Sequence, residues 1–146
     1  MAVNEKTQLT IIDANGLVLG RMASIVAKRL MKGEKIVIVN ASGAVISGKR
    51  LSIIREKEKF LQIGHHRKGP VHPRTPEGIV KKAVKGMLPR RKPCGIDAIK
   101  RLRVYTGMPT EFIESKVITL PEVSVSTLKG SYIKVSELAH NLGWKE

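Results

Sequence analysis

The sequence predicts an α/β fold: a three-layer α/β/α arrangement around a short, mostly parallel sheet. Two observations carry this. Residues 9–40 read strand, helix, strand in about 30 residues, the length of a βαβ unit. The second of those strands, Ile36-Val37-Ile38-Val39, is apolar at every position, as a parallel strand covered on both faces must be. At 146 residues and 42% hydrophobic, the chain suits one domain with one core. Residues 1–146 are read as that domain, with an α/β core over 1–107 and an irregular C-terminal extension over 108–146.

Each element has its own reason. Leu9-Thr10-Ile11-Ile12 is a β-branched strand, and Asp13-Ala14-Asn15-Gly16 supplies the residue types of a tight turn. Leu19, Met22, Ala23, Val26 and Leu30 recur at three- and four-residue steps, opposite Arg21, Ser24, Lys28, Arg29 and Lys32. That is an amphipathic helix, ended by Gly33. Lys35 to Asn40 is the buried strand. Ala44-Val45-Ile46 reads as a further short strand broken by Gly48, and Leu51 to Ile63 as a helix. Three prolines and two glycines between Gly64 and Pro76 exclude regular structure there.

Thr75 then caps a helix that starts on Pro76, carries Ile79, Val80, Ala83, Val84, Met87 and Leu88 on its apolar face, and stops at Pro89. Ile96 to Leu102 reads as a short helix and Arg103-Val104-Tyr105 as a strand. Pro109, Pro121 and Gly130 punctuate an irregular stretch. Tyr132 to Val135 reads as a last strand, with Ser136 capping a final helix that holds Leu138, Ala139 and Leu142.

The charge is large and uneven. The chain has 27 Lys and Arg against 12 Asp and Glu, a net +15. Residues 49–103 hold 17 of those cations and 4 of the acids, so the middle carries +13 and the two ends are close to neutral. Self-repulsion of that size in a compact chain points to a polyanionic partner. Aromatics make up only 3%, too few for a single-strand stacking platform. Structured RNA, held by phosphate, sugar and shape, fits better. The candidate contacts are Lys49 and Arg50; His65, His66, Arg67, Lys68, His72 and Arg74; Lys85, Arg90, Arg91 and Lys92; and Lys100, Arg101 and Arg103.

Other chemistries fit less well. The single Cys94 excludes a disulfide framework and an all-cysteine zinc site, and implies a reducing compartment. His65, His66 and His72 with Cys94 match no usual zinc spacing, so neither metal nor cofactor is expected. No apolar run approaches the ~20 residues that cross a bilayer. The N-terminal Met1 to Lys6 has no secretory apolar stretch, and the chain reads as cytoplasmic. The acids are sparse and lie beside basic residues, so no catalytic pair emerges. Gly43-Ala44-Val45-Ile46-Ser47-Gly48-Lys49 does match G-x-x-x-x-G-K, which makes a nucleotide-binding enzyme the alternative reading. Against it, Arg50 stands where the magnesium-binding hydroxyl belongs, and Ala44-Val45-Ile46 is β-forming rather than curled.

Several strings resemble the large-subunit ribosomal protein L13 family. They are Asp13-Ala14-Asn15-Gly16-Leu17-Val18-Leu19-Gly20-Arg21; Ile36 to Ala41 running on to Ser47-Gly48-Lys49-Arg50; Ala83-Val84-Lys85-Gly86-Met87-Leu88-Pro89; and Leu102-Arg103-Val104-Tyr105-Thr106-Gly107. They occur in the family's order over residues 9–107. The resemblance implies a three-layer α/β/α domain, a structural role in the large ribosomal subunit without catalysis, and large-subunit ribosomal RNA and neighbouring ribosomal proteins as partners. It also implies that Gly86-Met87-Leu88-Pro89 lies at the RNA surface with the basic residues behind it. Residues 60–76 and 108–146 depart from the bacterial pattern and look archaeal-like.

Overall fold

The computed structural model describes residues 9–65, 67–113 and 115–145. His66 and the N-terminal residues 1–8, on which two of the readings above fall, lie outside them. The principal sheet has four parallel strands in the order β4-β2-β1-β5: β1 Leu9–Asp13, β2 Lys35–Val39, β4 Leu102–Val104 and β5 Val117–Ile118. The expected βαβ unit is present: β1, then α1 over Leu19–Met31, then β2 paired to β1 with Ile11 opposite Val37. Beyond it come α3, Pro76–Gly86, and α4, Pro93–Lys100, which lead into β4.

The order of the strands places the layers. β1, β2 and β4 are laid across the sheet in one direction, and β5 in the other. Parallel crossovers are almost always right-handed, so the connections before β4 cover one face and the 105–116 connection covers the opposite one. The burial agrees. Ile12, Ile36 and Ile38 face a core built with Met22, Val26 and Leu30 of α1, Val80 and Val84 of α3, and Ala98 of α4. Ile11, Val37 and Val39 face Tyr105, Phe112 and Val117, so the third layer is thin, with a 3₁₀ turn at Thr110–Phe112. This explains the wholly apolar β2, which is buried from Ile36 to Val39.

A second, two-stranded antiparallel sheet pairs β3, Val45–Ser47, with β6, Tyr132–Lys134, in the register Ile46 opposite Ile133. Beside it pack α2, Arg50–Gln62, and α5, Val135–Asn141, through Ile53, Ile54 and Leu61 against Leu138 and Leu142.

Four details differ from expectation. The strand expected at 44–46 spans 45–47 and joins this second sheet. The helix expected from Ile96 begins at Pro93, whose fixed φ suits a first helical position, and Leu102 belongs to β4 instead. Ser136 does not cap α5: β6 runs straight into the helix, so Lys134 occupies the cap position and no side chain bonds there. β5 is two residues long, too short to announce itself by alternation. Thr75 does cap α3, its Oγ1 accepting from the Gly78 amide at 3.2 Å.

Candidate nucleic-acid interface

The expected contact residues fall into four groups with different fates. Lys49 and Arg50 open α2. Lys49 is exposed, but Arg50 forms an ion pair with Glu137 of α5 and so ties two elements together. The strand before them is not a phosphate cradle. The Val45 amide donates to the Leu17 carbonyl and the Gly48 amide to the Ser131 carbonyl, while Gly43 and Ala44 donate to Asn40 and Ala41. These are the N–H groups a nucleotide loop would need free, and backbone carbonyls already hold them.

The second group sits on the loop between α2 and α3. Although irregular, this loop is not an open thread. The His65 amide donates to the Gly69 carbonyl at 3.1 Å and the Gly69 amide to the His65 carbonyl at 2.8 Å. Arg67 and Lys68 stand exposed at the tip of that turn. Gly64 has φ +121°, and a Cβ there would lie 2.7 Å from Pro70, so glycine is required twice over. Further on, Arg74 is exposed and His72 half-buried. The His72 ring lies 5.3 Å from that of Phe60, and Lys82 Nζ donates to His72 Nδ1 at 2.5 Å.

The third group surrounds the end of α3. Leu88, expected at the surface with its neighbours, is instead buried in the core and anchors the turn, while Lys85, Gly86 and Met87 are exposed and Pro89 is half-buried. Arg90, Arg91 and Lys92 are exposed on the segment that leads into α4. That segment is held tightly. A Cβ on Gly95 would lie 2.2 Å from the Pro89 carbonyl oxygen, so only glycine lets α4 start this close to the turn. Arg90 Nε donates to the Lys85 carbonyl at 3.3 Å.

The fourth group is largely occupied by the protein itself. Lys100 pairs with Asp97 at 3.1 Å. Arg101 turns inward, its guanidinium donating at 2.7 Å to the carbonyl of Leu30 near the end of α1. Lys100 remains exposed despite its pair with Asp97, and Arg103, on the edge strand β4, is exposed with no carboxylate paired to it among the described residues. The structure therefore ties the second group to α3 through His72 and Lys82, with Arg90 of the third group close enough to act on Lys82, and leaves Arg50 and Arg101 in bracing positions.

Two participants were not singled out from the sequence. Lys57 Nζ lies 5.4 Å over the ring of Phe60, and both belong to the exposed side of α2 that meets His72. Their three-residue spacing on a helix was the available signal. Burial, then the nearby charges of Lys57 and Arg90, hold the Lys82 ammonium below its ordinary lysine pKa. Cations thus converge here from α2, α3 and the 89–92 turn.

A family model described as ribosomal protein L13 matches residues 7–111. This chain belongs to the ribosomal protein L13 family. It is 44% identical over 139 residues to the large ribosomal subunit protein uL13 of Methanosarcina barkeri, covering 94% of this chain and 99% of that one. It is 40% identical over 138 residues to uL13 of Methanococcoides burtonii, with 94% and 99% covered. It is 38% identical over 148 residues to uL13 of Saccharolobus solfataricus, with 99% of each chain covered. These archaeal relatives agree with the character read from residues 60–76 and 108–146. The L13 match ends before β5, yet the S. solfataricus protein aligns across nearly the whole chain. That alignment therefore includes the residues that form β6 and α5 here. The family is a structural one, which removes the enzyme reading. Among the described residues, no helix is long and apolar enough to cross a membrane.

Proposed function

We propose that this L13-family chain is a structural constituent of the large ribosomal subunit that binds and stabilises large-subunit rRNA through its basic middle and so supports subunit assembly. One observation carries the rRNA contact: Lys57 of α2, Lys82 of α3 and Arg90 of the 89–92 turn converge beside His72 of the 64–75 loop, with no carboxylate paired to them among the described residues. Among the described residues the ion pairs are Arg50–Glu137 and Lys100–Asp97, both outside that convergence. The α/β core holds this surface, and the C-terminal extension braces α2 through Arg50 and Leu61. Arg67, Lys68, Arg90, Arg91 and Lys92 neutralise phosphates, and the exposed Gly86-Met87 corner lets backbone approach the RNA. Neighbouring ribosomal proteins complete the environment.

Binding of the full chain to large-subunit rRNA, measured across a salt series, tests this. Each phosphate contact contributes a log–log slope of about −0.7 to −0.9. Replacing Arg90, Arg91 and Lys92 together by Gln is expected to flatten the slope by about three contacts' worth and leave the fold intact. Binding without salt dependence overturns the proposal.

A further inference from the structure

Beneath α2 lies a cavity of about 570 Å³, within the size range of small-ligand sites. Its wall is mostly apolar, with Leu19, Ile46, Leu61, Ile79, Leu128 and Leu142 among its residues. Its solvent-facing side, the mouth, is basic: exposed Lys82 and half-buried Lys57 and His72 line it beside the exposed Phe60 ring, and exposed Arg21, bonded to Thr127, lines it too. The aromatic geometry is already set: His72 and Phe60 lie 5.3 Å apart with 35° between their planes. Among the described residues no carboxylate pairs with Lys57 or Lys82. Mutual repulsion of cations beside a mostly apolar cavity is unfavourable until an anion arrives.

We propose that this cavity receives one unstacked nucleotide of RNA, its phosphate at Lys57 and Lys82 and its base against Phe60 and His72. The inference deepens the rRNA-binding reading and rests on it. The occupant follows from charge and shape together. An apolar side chain from a protein partner leaves the cations of the mouth uncompensated. A fatty acid supplies the anion but makes no use of the two flat rings. A nucleotide supplies both an anion and a π-face, and RNA loops and bulges offer splayed bases to such rings. Ser47 lines the same cavity, and its hydroxyl would give a base edge a hydrogen-bonding partner.

The test uses the full chain, isotope-labelled and followed by NMR, with AMP, UMP, inorganic phosphate and decanoate as separate probes. The nucleotides are expected to move the Phe60 and His72 rings and the Ile79 and Leu128 methyls. Phosphate is expected to move only the surroundings of Lys57 and Lys82. Two variants accompany it. Ala83→Phe fills the chamber from α3, and Phe60→Leu removes the ring from the surface of α2 should the first fail to fold. Each is expected to abolish the methyl shifts and weaken rRNA binding about tenfold with an unchanged salt slope, since no phosphate contact is lost. Nucleotide shifts confined to the mouth, or methyl shifts with decanoate alone, overturn the inference. So does wild-type rRNA affinity in both folded variants, and that result leaves the rRNA reading standing. Absence of salt-dependent rRNA binding by the unsubstituted chain instead overturns that reading.

Discussion

α1 and α2 are each thirteen residues long, and they could hardly be held more differently. α1 buries Leu19, Met22, Ala23, Val26, Ala27 and Leu30 in one stripe against the sheet, α3 and α4. α2 buries no residue completely: Ile53, Ile54 and Leu61 are half-buried against α5 and β6, and Leu51 remains 65% exposed. Helix stability in proteins comes mainly from burying an apolar stripe. α1 is therefore scaffold. α2 is held by one edge, with its basic side and Phe60 turned toward the site where RNA is proposed to bind. The scaffold is complete in itself, and the basic side acquires its remaining partner from outside.

Truncation gives the largest expected separation of the two. Met22→Ala empties a fully buried site in α1 and is expected to cost about 2–5 kcal/mol in urea denaturation. Leu61→Ala in α2 removes a half-buried side chain and is expected to cost about 1 kcal/mol, in keeping with the smaller apolar area returned to water. Equal losses from the two variants break the distinction. Amide exchange sharpens it: α2 is expected to open at lower free energy than α1.

The second comparison lies within the basic region. Arg101 and Arg91 look alike in sequence, but Arg101 donates to the Leu30 carbonyl near the C-terminal end of α1. Arg101→Ala removes that charge-assisted bond while the Gly33 amide still donates to the same carbonyl at 3.1 Å, and its expected stability loss is about 1–2 kcal/mol. Arg91→Ala, at an exposed position, is expected to leave the denaturation midpoint nearly unchanged and lower only rRNA affinity. Loss of stability in both variants, or in neither, means that inward and outward arginines have not been told apart.

How much of this was legible beforehand follows the same physics. The βαβ unit reads cleanly from residues 9–39 because burial of α1 and β2 imposes periodicity on the sequence. The Thr75–Pro76 helix start reads cleanly because capping demands particular residue types. β5 did not read, because two residues carry no period, and its place at the sheet edge is decided by a connection that crosses the far face. Ser136 misled because a strand leading directly into a helix needs no polar cap. The basic middle was visible as charge alone. Nothing in a run of Lys and Arg distinguishes Arg101, bonded to its own helix, from Arg91, left in solvent. Lys57 and Phe60 stayed unremarked because their role depends on His72 and Lys82, which reach them only through the tertiary fold.

The smallest expected stability effect, at Lys82, separates holding the fold from holding RNA within one residue. Burial first, and then the charges of Lys57 and Arg90, keep its pKa below the ordinary 10.5. The folded chain therefore releases this proton at lower pH than the unfolded chain does. Where Lys82 is charged in both states, its charge opposes folding. That opposition fades as pH rises through the folded-state value and is gone above the ordinary lysine value. Lys82→Gln is thus expected to leave the melting temperature at pH 7 equal or slightly raised, with the difference from the unsubstituted chain vanishing as pH climbs past 10.5. Added salt is expected to shrink the part due to Lys57 and Arg90 and to leave the part due to burial. The same substitution removes a cation from the mouth of the cavity, so rRNA affinity is expected to fall while stability holds. A lower melting temperature with unchanged rRNA affinity assigns Lys82 to the scaffold, on the side of α1 rather than α2.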